Sequence, residues 1–112
     1  MRQLNISKLK QKWIKLKIDE SDEVLCEMLL RPFPITKTMT QVNHLGSNYE
    51  NNWEVFDYSV LDWKNYGDEN GAPLVFNDKN KRQVFDFDAI VVLAVFKELS
   101  SWNSDILVQK KT

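Results

Sequence analysis

Cysteine, histidine and glycine are scarce in this 112-residue chain, and their scarcity excludes several kinds of site. Cys26 is the only cysteine, so the chain cannot form a disulfide within itself and a reducing compartment is expected. His44 is the only histidine. One cysteine and one histidine are too few for a structural zinc site, which usually needs four ligands. Gly46, Gly67 and Gly71 do not form a glycine-rich phosphate-binding loop. The sequence therefore predicts neither a metal nor another cofactor.

Long apolar runs are also lacking. The longest one, residues 89–96, is far short of the roughly 20 apolar residues that a membrane-spanning helix needs. The basic N-terminus has no apolar stretch of the length that a secretory signal requires. We therefore expect a cytoplasmic protein with no membrane partner.

The formal net charge of −1 gives the chain no overall field that would attract nucleic acid or an anionic membrane. The charges are nevertheless unevenly distributed, because every charged residue before residue 19 is basic. These residues are Arg2, Lys8, Lys10, Lys12, Lys15 and Lys17. Acidic residues follow at once in 19–23. The lysines alternate with Ile14, Leu16 and Ile18, which favours a solvated strand face over a nucleic-acid-binding arm.

The N-terminal third has the alternation of a β-hairpin. Residues 13–19 alternate apolar and polar side chains with a period of two, and residues 24–30 do so again after an acidic turn. Cys26 occupies an inward position of this pattern, where a buried and inert thiol is expected. Pro32 and Pro34 then end the second strand, since proline cannot donate a hydrogen bond to a sheet.

The middle of the chain is less regular. Residues 35–52 are rich in Thr, Asn and Ser and have no clear periodicity, which predicts a long, mobile loop. Asn51 or Asn52 is placed to cap a short helix that reaches about Ser59, although the alternation within 56–60 also fits a strand. We favour the helix.

The remaining residues predict turns followed by helix. Residues 60–66 are expected to be extended and to enter a turn at 67–71, where Asn-Gly suits a positive φ angle. Asn77 or Asp78 is placed to cap a helical turn.

The clearest helix starts at Asp86 or Asp88 and reaches about Trp102, while the polar tail 103–112 is expected to fray. The predicted fold is α+β, with the N-terminal β-hairpin packed against this C-terminal helix in a single domain that spans residues 1–112.

Catalytic chemistry is not expected. A Cys26–His44 pair would need a third group to orient the base, and a buried, inert thiol and a surface imidazole explain the two residues better. Asp86 and Asp88 are explained more simply as helix caps than as a metal pair. We therefore predict a protein that is not an enzyme and that works by binding another protein or a second copy of itself.

The C-terminal helix is the predicted binding element, because its apolar residues cover most of its circumference and exceed what one hairpin can bury. Phe96, Leu99 and Trp102 are therefore expected on an exposed apolar patch. Tyr66 and Tyr49 are added as surface aromatics, a residue class that dominates interface energies.

One stretch, Tyr58–Lys81, has a recognisable pattern. An apolar segment leads to Asp62-Trp63, then to Asp-x-x-Gly-x-Pro at 68–73, an aromatic residue and a capped helix. This arrangement resembles small tail-module proteins of long-tailed phages, particularly tail assembly chaperones. The N-terminal strand region, which is rich in lysine and ends in Arg31-Pro32, is also similar to that group.

The resemblance implies a non-enzymatic phage or prophage protein that acts in tail and virion assembly, by holding the tape-measure protein or other tail components. A different phage binding protein, such as an inhibitor of a host defence protein, has the same small size and lack of catalytic groups. Both alternatives predict a protein partner and no nucleic acid.

Overall fold

The computed structural model describes Met1 and residues 10–18, 22–33 and 49–110, with side chains described through Trp102. Three strands and three helices lie in these residues, in the order β1 (Lys12–Lys17), β2 (Val24–Leu30), α1 (Tyr49–Ser59), β3 (Val60–Lys64), α2 (Asp78–Phe87) and α3 (Ala89–Lys110). The strands form one antiparallel sheet in the order β1-β2-β3. The predicted α+β class is confirmed.

The predicted hairpin is confirmed, and β3 extends it. Ile14 lies opposite Met28, and Met28 lies opposite Trp63 on the other side, so one row of apolar side chains crosses all three strands. Leu16 and Cys26 form the next row. The strand alternation follows from this arrangement, because successive side chains of a strand point to opposite faces of the sheet.

The two faces of the sheet differ in burial and charge. The inner face carries the buried side chains Leu16, Cys26, Met28, Leu30, Val60 and Trp63. The outer face carries a row in which Lys15, Glu27 and Lys64 lie opposite one another on the three strands. Opposite charges in such cross-strand positions stabilise the pairing. The lysines of β1 are exposed, as the strand pattern predicts.

Helix α1 begins at Tyr49, so the prediction of a loop is wrong for residues 49–52, while residues 34–48 lie outside the described part of the chain. The short helix ending at Ser59 is confirmed. Its end is held by Lys81, whose Nζ donates to the carbonyl of Asp57 at 2.6 Å and lies 3.1 Å from the carboxylate of Asp57. A cation at this position also interacts favourably with the helix dipole.

The connection from β3 to α2 is built around Asp68. Its carboxylate accepts hydrogen bonds from the backbone N–H groups of Asn70 (2.9 Å) and Ala72 (3.0 Å). Gly71 has a φ of 82°, a conformation that favours glycine. The predicted turn at 67–71 is confirmed, and it returns the chain so that the indole N–H of Trp63 donates to the carbonyl of Leu74 at 2.7 Å.

Two helices complete the fold. Asn77 caps α2, as predicted, by accepting a hydrogen bond from the N–H of Asn80 at 2.7 Å. Helix α3 continues to Lys110, so the backbone of residues 103–110 is helical, and the fraying of the tail stays a prediction. The ammonium of Lys12 lies 4.7 Å from the centre of the Trp102 ring, a contact that joins the hairpin to α3.

Trp63 is the side chain that links the sheet to the connection, and only 6% of its surface is exposed. Its ring also meets those of Tyr66 and Phe76 edge to face. We predict that Trp63→Ala lowers the free energy of unfolding by about 3–5 kcal/mol, because it leaves a large cavity and an unpaired carbonyl. Urea unfolding measures this loss. Trp13→Ala, on the exposed outer face, is the control, and equal losses in the two variants would contradict the prediction.

Candidate protein-binding surface

Asp88 forms the corner between α2 and α3. Its backbone N–H donates to the carbonyl of Val84 at 2.9 Å and closes α2. Its carboxylate accepts from the N–H of Val91 at 3.3 Å, which caps the start of α3, and also from the hydroxyl of Tyr66. The sequence left Asp86 and Asp88 as alternative starts of the helix, and Asp88 is the cap.

The corner leaves three large apolar side chains in solvent. Phe87, the last residue of α2, is 84% exposed, and Ile90 and Leu93 on the first turns of α3 are 56% and 68% exposed. Ile90 and Leu93 lie on the same side of α3, because residues three apart are neighbours on a helix. We call Phe87, Ile90 and Leu93 the corner patch. Solitary exposed apolar residues are ordinary, but clustered ones usually indicate an interaction site.

Leu99 and Trp102 are only 3% and 8% exposed, so the prediction that they form an exposed patch is wrong. They lie on the side of α3 that also buries Val91 and Val95. Phe96 is half-buried and packs against the same core. Among the side chains described for this helix, those through Trp102, the exposed large apolar ones lie in its first turns.

The two predicted tyrosines lie in different places. Tyr66 is half-buried beside Asp88, and burial, followed by the hydrogen bond to Asp88, raises its pKa. Tyr49 is exposed at the start of α1, where its hydroxyl donates to Asp86 and this bond raises its pKa. The structure therefore does not bring the five predicted residues together in one surface.

Tyr49 belongs to a cluster that joins α1 to α2. The guanidinium of Arg82 lies 4.8 Å from the centre of the Tyr49 ring and 4.5 Å from that of Trp53. It also approaches the carboxylates of Glu50 at 3.4 Å and Asp86 at 3.9 Å. Arg82 thus contacts both aromatic rings and both carboxylates within the protein. We therefore interpret the cluster as a contact between α1 and α2.

The thiol of Cys26 is buried on the inner face, as predicted. Burial, with smaller contributions from the carboxylates of Asp88 and Glu27, raises its pKa to about 12. The thiol is therefore protonated at neutral pH, whereas the thiolate is the nucleophilic form. His44, the other member of the pair considered from the sequence, lies outside the described residues.

The described part of the chain contains no group of three or more His, Cys, Asp or Glu side chains arranged to hold a metal ion. None of its helices combines the length and the apolar character that crossing a bilayer requires.

No protein-family model, curated protein sequence or solved structure matches this chain. The corner patch is therefore assigned from its geometry and composition. The sequence contained one signal for it. Counting from Trp102 along one helix face selects 99, 95 and 91 as the buried positions and leaves 90 and 93 outside.

The pKa of Cys26 predicts how stability depends on pH. In the unfolded chain the thiol ionises near its ordinary pKa of 9.0, whereas in the folded protein it keeps its proton to about 12. The unfolded state therefore loses a proton first, and the free energy of unfolding falls as the pH rises above about 9. Cys26→Ala removes this contribution and leaves that of Tyr66 in place.

Urea unfolding of both proteins at about pH 8 and pH 11 measures the effect. We expect the wild type to lose on the order of 2–3 kcal/mol more than Cys26→Ala over this interval. Equal losses in the two proteins would show that the thiol does not resist ionisation in the fold.

Proposed function

We propose that this protein is a non-catalytic binding protein that attaches another protein through the corner patch. The observation that carries the proposal is the exposure of Phe87, Ile90 and Leu93 at one helix corner. The backbone between them is held by Asp88, which caps both helices and is itself bound by Tyr66. A backbone that is already ordered loses less conformational entropy on binding, which favours affinity.

The size of the patch favours a different protein over a second copy. Three large side chains offer at most roughly 600 Å², whereas a stable interface buries about 800 Å² on each partner. A symmetric pair of corner patches therefore falls short of a stable dimer. A partner that presents an apolar surface and adds contacts around it fits better.

The resemblance of residues 58–81 to tail-module proteins supports the class of partner. We propose that the partner is another tail component of a long-tailed phage and that binding serves tail and virion assembly. Within that stretch, Trp63 packs in the core, Asp68 and Gly71 form the turn, and Asn77 caps α2. These residues build the support that presents the corner patch, which follows directly in the sequence.

The proposal predicts that Phe87→Ser/Leu93→Ser abolishes partner binding without unfolding the protein, since both side chains are exposed. The wild type and the variant would each be co-expressed with the tail proteins encoded beside the gene, and complexes would be quantified by affinity purification and isothermal titration. We expect at least tenfold weaker binding, because the loss of two apolar anchors costs more than about 1.4 kcal/mol.

Val75→Ser is the matched control, since Val75 is an exposed apolar residue outside the corner patch. Its binding should equal that of the wild type. Unchanged binding by the folded corner variant would contradict the proposal. So would a wild type that forms a stable dimer through the patch in sedimentation and binds no tail protein. Binding to a host defence protein in place of tail proteins would refute the assembly role.

Leu99 and Trp102 are unsuitable for this test. A glutamate at either position would place a charge inside the core, where an unpaired charge strongly destabilises the fold. Loss of binding in such a variant would report unfolding.

A further inference from the structure

Strand β1 lies at an edge of the sheet. It pairs with β2 on one side, and in the described part of the chain no strand pairs with its other side. Among the described residues, the backbone N–H and C=O groups on that side thus have no strand partner, which is the condition under which a further strand can add to a sheet. Regular pairing within β1 extends from Lys12 to Leu16, because the register shifts between Leu16 and Lys17.

The charge of this edge is uniform. Lys12, Lys15 and Lys17 are its charged residues, and all three are exposed. The ammonium of Lys12 lies against the ring of Trp102 on the inner side. Among the described residues, the ion pairs that we observe do not involve Lys15 or Lys17. Lys15 lies in the outer row of the sheet, and Lys17 follows it beyond the register shift at the end of the strand.

We propose that the edge of β1 binds an extended acidic segment of a partner protein, which adds to the sheet as a fourth strand. Main-chain hydrogen bonds would provide the affinity, and carboxylates at alternate positions would face Lys15 and Lys17. The surface is separate from the corner patch, and the inference does not depend on it.

A second copy of the chain does not fit this edge. Pairing of two β1 strands places lysines against lysines, and like charges in opposing cross-strand positions are destabilising. Lysines on an edge strand are a known protection against such self-pairing. The same lysines attract an acidic strand. They therefore favour an acidic partner and oppose pairing between the β1 strands of two copies.

A single-stranded nucleic acid fits less well, although it also carries negative charge. Binding of that kind usually stacks bases on exposed aromatic faces. Trp13 is the aromatic residue of β1, and the ammonium of Lys64 lies 4.3 Å from the centre of its ring. One face of this single aromatic ring is thus occupied by a cation of the sheet, which leaves little surface for stacking successive bases.

The test uses a short capped peptide that alternates glutamate with valine, titrated into ¹⁵N-labelled full-length protein. We expect saturable amide shifts concentrated at residues 12–17. A peptide with lysine in place of glutamate tests the charge, and a glutamate–valine peptide with N-methylated backbone tests the main-chain hydrogen bonds. Neither should bind measurably.

Lys15→Glu/Lys17→Glu should weaken binding of the acidic peptide at least about tenfold, because attraction becomes repulsion. Lys79→Glu, an exposed lysine of α2, is the matched control and should bind like the wild type. Phe87→Ser/Leu93→Ser should also bind the peptide normally, which separates this edge from the corner patch.

Several results would overturn the inference. Absence of peptide binding at millimolar concentration would do so, as would shifts concentrated away from β1. Equal binding of the N-methylated peptide would show that charge acts without strand addition. Binding of an oligothymidylate that depends on Lys15 and Lys17, with no peptide binding, would make the edge a nucleic-acid surface.

Discussion

The carboxylate of Asp88 is the contact on which the arrangement of the helices depends. The backbone N–H of Asp88 closes the end of α2, and its carboxylate caps the start of α3. The carboxylate also accepts a hydrogen bond from the hydroxyl of Tyr66, in the connection after β3. A cap of this kind contributes about 1 kcal/mol to a helix. The backbone at Asp88 is not helical (φ −107°, ψ 75°) and so separates the two helices, of which α3 buries Val95 and Leu99 while Phe87 at the end of α2 remains in solvent.

The core lies on one face of the sheet, and this limits where an apolar binding surface can form. All the buried strand residues lie on the inner face of the sheet, opposite the charged row of Lys15, Glu27 and Lys64. A chain of 112 residues has little apolar surface beyond what such a core consumes. The exposure of three large apolar side chains at the α2–α3 corner is therefore a stronger indication of binding than the same exposure on a large protein would be.

Sequence patterns predicted the strands and helix ends that are stabilised by residues close to them in the sequence. The alternation around Ile14 and Met28 predicted the hairpin, and Asn77 predicted the start of α2. The start of α1 at Tyr49 was missed because its stabilising contacts with Arg82 come from a distant part of the chain. The buried side of α3 was misjudged for the same reason. Its apolar residues surround the helix, and only packing against the sheet, with Lys12 over Trp102, selects the inner ones.

The residues that build the fold differ from those that we propose to bind the partner. The pattern at 58–81 consists of residues that pack, turn or cap: Trp63 is buried, Gly71 has a positive φ, and Asn77 holds the first turn of α2. Such constraints act on the fold whatever partner the protein binds. The corner patch has no comparable structural role, since its side chains project into water. The residues of 58–81 are therefore explained by the fold, and in our proposal the choice of partner depends on the corner patch that follows them.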